Sequence, residues 1–95
     1  MRRAARTDAN QGDIVDGLRA VGATVQPLHT VGCGCPDLLV GYRGHNYLIE
    51  VKDGAKPPSA RELTPDQQEW MSTWRGQKAV AESLDDALWA IGYRS

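Results

Sequence analysis

The chain has 95 residues, 41% hydrophobic and 24% charged, with 11 basic and 12 acidic side chains and a formal net charge of −1. That length gives one domain with one modest core, and the apolar content excludes disorder in bulk. Near-zero charge excludes a uniformly basic nucleic-acid surface, so any such surface is local, and no apolar run reaches the length of a membrane span.

Residues 1–7 hold Arg2, Arg3 and Arg6 and read as a flexible basic arm, leaving 8–95 as the single domain. No apolar stretch follows this basic head, so a secretory signal is not expected. "DANQGDIVDGLRAVG" reads as a helix. Asp8 is its expected cap and Gln11, three residues on, completes a capping box. Ile14, Leu18 and Val21 recur at helical spacing, and Gly22 supplies the stop. "ATVQPL" is a short strand that Pro27 marks as an edge or an end. "HTVGCGC" is a glycine-rich approach to a pair of apolar runs. Cys33 and Cys35 are too close to pair without a strained ring. Reduced thiols suit an intracellular, cytoplasmic protein.

"CPDLLVGYRGHNYLIEVKDG" carries those two apolar runs around a turn and reads as a hairpin. The loop after it, "DGAKPPSAREL", is long enough to suspect function. "TPDQQEWMSTWRG" is a second helix: Thr64 caps it, Pro65 opens its first turn and Gln67 answers Thr64 as a capping box. "KAVAE" is a fourth strand, and Ser83 caps a last helix, "LDDALWAIG". A strand, helix, strand unit implies a parallel pair joined by a right-handed crossover, while the first three strands form an antiparallel meander. The expected fold is α/β: a small mixed four-stranded sheet flanked by helices.

The hairpin collects three charges at its open end. With the turn centred on Gly44 and His45, Tyr42 faces Tyr47, Val40 faces Ile49 and Asp37 faces Lys52. Leu38, Val40, Tyr42, Tyr47, Ile49 and Val51 then share an apolar face, and Asp37, Glu50 and Lys52 share the other. Glu50 is diagonal to Asp37. Two converging carboxylates repel unless a cation lies between them, and magnesium suits one or two carboxylates plus waters. The Val51 carbonyl is a candidate third oxygen. Lys52 beside the ion orients an attacking water or stabilises negative charge as phosphorus is attacked. The chemistry is phosphodiester hydrolysis. Glu and Lys two apart on a strand equally describe a solvated ion-paired face. The apolar opposite face, the glycine-rich approach and the basic loop favour the metal site.

"PDLLVG…YLIEVKDG" followed by "LTPDQQEW" resembles the PD-(D/E)xK nuclease superfamily, and within it the compact VRR-NUC and Holliday-junction-resolvase-like nucleases of phages and prophages. The resemblance runs from about residue 8 to the end. It implies a restriction-endonuclease-like αβββαβ core, and magnesium- or manganese-dependent cleavage of DNA, with branched or junction DNA among the candidate substrates. Asp37 matches the motif aspartate, Glu50 the motif acid, Lys52 the motif lysine, and Gln67 the glutamine carried on the helix after the E-x-K strand. Asp13 is the candidate for a further metal-ligating acid on the first helix, with Gln11 or Asn10 as alternatives. A catalytically silent DNA-binding module with the same fold is the alternative reading.

Other groupings weigh less. Cys33, Cys35, His29 and His45 offer a zinc set without a second matching pair, and small buried thiols are the preferred reading. The capping box alone explains Gln67 as readily as an active-site role. Trp70, Trp74 and Trp89 are read as core or dimer contacts ahead of base stacking. Arg2, Arg3, Arg6, Lys56 and Arg61 are the expected DNA contacts. A homodimer is expected, because cutting two strands calls for two sites; no membrane and no organic cofactor are expected as partners.

Overall fold

The computed structural model describes residues 8–95. Element order is α1 (Gln11–Ala20), β1 (Thr24–Pro27), β2 (Leu38–Tyr42), β3 (His45–Val51), a 3-10 turn (Pro58–Ala60), α2 (Pro65–Thr73), β4 (Lys78–Ala81) and α3 (Leu84–Ala90). The four strands form one sheet in the order β1-β2-β3-β4. The first two pairings are antiparallel and β3 runs parallel to β4, with α2 in the crossover. This is the mixed four-stranded sheet expected from the pattern.

Leu38, Val40, Ile49, Val51 and Ala81 are fully buried on one sheet face. Ile14, Val15 and Leu18 of α1, with Ala87 of α3 and Ile91 just past it, complete that core. The apolar positions of α1 recur at three and four residues, so one stripe of the helix meets the sheet. Against this, α2 buries no residue. It takes the face that carries Glu50 and Lys52, where Gln67 bonds to both. At its C-terminal end, Lys78 of β4 donates to the carbonyls of Met71 and Trp74.

The hairpin turn is two residues long and sits one position earlier than the sequence suggests. Tyr42 pairs with His45, Val40 with Tyr47 and Leu38 with Ile49. Arg43 and Gly44 form the turn with φ of 50° and 81°. Positive φ at both central residues is the type I′ geometry, whose twist matches that of the strands it joins. The pairing therefore differs by two residues from the expected one. Because side chains alternate with period two, that difference preserves which face each residue takes. It also corrects one contact: continuing the ladder one step sets Asp37 opposite Glu50, not opposite Lys52.

Two further expectations are corrected. Asp8 does not cap α1. Asn10 holds the cap position with no side-chain cap bond. The Asp8 main-chain carbonyl accepts from Gln11 N–H at 3.0 Å, and its carboxylate meets Lys56 at 3.4 Å. The Asn10 amide is committed elsewhere, donating to the carbonyls of Lys52 (3.1 Å) and Glu82 (3.2 Å). Nor do the tryptophans join the core, one of the two readings the sequence favoured for them. Trp74 and Trp89 are 43% and 69% exposed. Trp70 and Trp74 instead stack on each other, centroids 4.7 Å apart, and Arg94 covers Trp89 at 3.6 Å. The expected basic arm, with Arg2, Arg3 and Arg6, lies outside the described residues. Among those described, no helix is long and apolar enough to cross a membrane.

Candidate active site

Asp37 stands where the glycine-rich approach becomes β2. Its main-chain carbonyl accepts from Leu28 N–H at 2.6 Å, which closes residues 28–37 into a loop. Its carboxylate Oδ2 accepts from the Val51 N–H at 2.8 Å. Backbone on one side and side chain on the other fix the acid against β3. Within the loop, Gly34 has φ of 78°, and a Cβ there would lie 2.3 Å from the Asp66 carbonyl oxygen. Glycine is what lets the loop touch the first turn of α2.

Glu50 and Lys52 lie at the end of β3, both buried at 3% and 9% exposure. Burial pushes the Glu50 carboxyl up, and a hydrogen bond with Asp37 and the Asp37 charge push it further, to about 8, against the opposing pull of Lys52. Desolvation and a like charge both disfavour ionisation. Cys35 flanks the same pair: burial, then Glu50, then Asp37 raise its thiol.

Gln67 joins these groups. Its Oε1 accepts from Lys52 Nζ at 2.8 Å, and its Nε2 donates to Glu50 Oε2 at 3.1 Å. The direct Lys52–Glu50 separation is longer, 3.9 Å. Gln67 also completes the capping box of α2. The cap bond and the contacts with Glu50 and Lys52 coexist, because a side-chain amide has an acceptor end and a donor end.

The donor set suits a hard cation. Two opposed carboxyl groups, one buried and resisting ionisation, gain most from a divalent ion held by oxygen. Asn10 Oδ1 and Gln11 Oε1 are buried without a partner among the described residues, at the end of α1 that Asn10 ties to the end of β3. An acceptor left unpaired in this way costs free energy unless something satisfies it. Asp13 stands apart. It is exposed and lines a cleft of about 570 Å³ with Asp53, Glu82 and Asp86. Among the described residues, no group of three or more His, Cys, Asp or Glu side chains is placed to hold a metal. The Cys33, Cys35, His29 and His45 grouping therefore forms no zinc site, and Cys33 is exposed, not a buried thiol. His45 sits at the hairpin tip, 6.4 Å from the Tyr47 ring.

The two basic residues of the 53–63 loop are both paired. Lys56 meets Asp8, and Arg61 meets Glu82 at 2.9 Å. Two contributors to the site were not legible in the sequence: Asn10 as a tie between α1 and β3, and Lys78 as the clamp on α2. The Thr64-x-x-Gln67 spacing, with Pro65 between, marked the start of α2 in advance.

A scan against protein-family models finds no match, and no curated protein matches the chain. Among solved structures, one described as a VRR_NUC domain superposes with a TM-score of 0.63 at 30% identity, covering 87% of this chain and 92% of that one.

Proposed function

The chain belongs to the VRR_NUC domain family, and on that premise we propose that it is a divalent-metal-dependent endonuclease that hydrolyses phosphodiester bonds in DNA. The observation that carries this reading is the buried Glu50, set against the half-buried Asp37 and bridged to Lys52 by Gln67. A plain ion-paired strand face would be solvated and would not resist ionisation.

Asp37 and Glu50, with the Val51 carbonyl and the Gln11 or Asn10 oxygen, are the groups that would hold magnesium or manganese. A bound ion supplies Lewis acidity and makes water a stronger nucleophile near neutral pH. The chain's own residues do the rest. The Val51 N–H holds Asp37 in place. Gln67 holds Glu50 on one side and Lys52 on the other. The Lys52 ammonium, kept from bulk water, is positioned to stabilise charge growing on a phosphate oxygen.

DNA contact rests on local charge. All twelve acids lie at or beyond Asp8, whereas Arg2, Arg3 and Arg6 precede it, so the body of the domain is net acidic. Phosphates would be met by that head, together with Lys56 and Arg61 once DNA competes for their acidic partners. Exposed Trp74, Val80 and Trp89 offer apolar surface for a homodimer, which would give one site for each strand in the cytoplasm of a bacterial host. The test is cleavage of labelled branched and linear DNAs in magnesium, in manganese and in chelator. Ion-dependent cuts in at least one substrate are expected. A folded protein that binds these DNAs but cuts none would be the silent binding module instead.

A further inference from the structure

The Gln67 amide meets three groups, and one orientation satisfies all of them. Its Oε1 accepts from the Thr64 main-chain N–H at 2.9 Å and from Lys52 Nζ at 2.8 Å. Its Nε2 donates to Glu50 Oε2 at 3.1 Å. Turned over, the amide would set its NH₂ against two donors and its oxygen against a carboxylate. Lys52 alone does not impose the choice, because an ammonium on a four-carbon stem is free to move. The Thr64 N–H is not free. Thr64 holds the extended cap conformation, φ −67° and ψ 162°, ahead of Pro65, and its Oγ1 accepts from Gln67 N–H at 3.3 Å. No residue of α2 is fully buried.

We infer that Thr64 is a positioning residue for the site: through the capping box it holds the Gln67 amide with its oxygen on Lys52 and its NH₂ on Glu50. The inference rests on the nuclease reading, in which Lys52 acts at the phosphate. Thr64 touches no substrate and acts only through Gln67. Removing its hydroxyl frees the Gln67 N–H and loosens the first turn of α2. A shift of ~1 Å in a positioned group costs up to ~10²-fold in rate.

The test compares Thr64→Ala, Thr64→Ser, Gln67→Ala and the Thr64→Ala/Gln67→Ala double variant, at a temperature where circular dichroism shows each one folded. Two quantities are read: single-turnover DNA cleavage, and the ¹⁵N-resolved NMR signal of the Lys52 ammonium in the metal-free protein. Thr64→Ala is expected to slow cleavage about tenfold or more, and Thr64→Ser to restore it. In the Gln67→Ala background the Thr64 change should cost nothing further. The ammonium signal, slowed in exchange by its bond to Gln67, should be lost in Thr64→Ala and regained in Thr64→Ser. Unchanged cleavage and an unchanged signal in Thr64→Ala would overturn the inference, as would full additivity in the double variant. If the wild type cuts no DNA, the nuclease reading fails, and the ammonium signal alone decides whether Thr64 positions Gln67.

Discussion

The two faces of the sheet are built on different principles. On one, α1 and α3 cover Leu38, Val40, Ile49, Val51 and Ala81 with aliphatic side chains. On the other, α2 has no fully buried residue, and Gln67 bonds at its start and Lys78 at its end. The first face supplies stability through area removed from water. The second places charge at fixed points and leaves its helix steadied by the same bonds that build the site. A strand with period two serves both at once: Ile49 and Val51 face the core while Glu50 and Lys52 face α2.

If this division is right, perturbing one face should leave the other's property intact. The largest effect belongs to Asp37→Asn. The variant keeps an oxygen for the Val51 N–H and removes a charge from beside Glu50, so folding should be unchanged or slightly favoured. Cleavage should fall to background. Loss of the thermal transition would show that Asp37 serves the fold instead. Next in size is Leu18→Ala, at a fully buried position. It should cost about 2–5 kcal/mol in urea unfolding, with cleavage per folded molecule retained. The same truncation at Trp74, on the exposed side of α2, should cost under about 1 kcal/mol; comparable losses would show that α2 is part of the core.

Glu50 gives the polar face a pH signature. Its carboxyl ionises near 8 in the folded chain and near the ordinary value of 4.5 when unfolded. Between those values the folded state keeps a proton that the unfolded state releases, so in the absence of divalent ions stability falls as pH rises from about 4.5 to about 8. Glu50→Gln should remove that part of the slope. Parallel melting curves for wild type and variant would mean that Glu50 is not held protonated. The smallest effect is on DNA affinity. Replacing Lys56 and Arg61 together by Ala should weaken binding and make its salt dependence shallower by about two phosphate contacts. An unchanged salt slope would leave both residues as partners of Asp8 and Glu82 alone.

The expectations resting on periodicity held, as did the caps at Thr64 and Ser83. The apolar alternation of "DLLVGY" and "YLIEVK" sorted Asp37, Glu50 and Lys52 onto one face even with the turn misplaced, because an error of two residues is invisible to a period of two. The turn was misplaced because "RGHN" contains several residues tolerant of positive φ, and Arg43 is not the residue that usually marks a type I′ turn. Asp8 fitted a capping box by spacing, but Lys56 lies 48 residues away in sequence and no local rule reports it. The tryptophans of α2 suggested burial by type. Their stacking on each other, outside the core, depends on how little of the sheet's second face that helix covers. Gln67 showed the reverse: the sequence offered the capping box and a place beside Glu50 and Lys52 as alternatives, and had no means of showing that one amide makes both sets of contacts.

The central claim is that Asp37 and Glu50 form one divalent-cation site per chain, and manganese binding followed by electron paramagnetic resonance tests it most directly. At pH 8 the wild-type protein is predicted to bind one manganese ion per chain, displaceable by magnesium, and Asp37→Asn is predicted to lose it while remaining folded. Equal binding by wild type and Asp37→Asn, or none by either, would contradict the account.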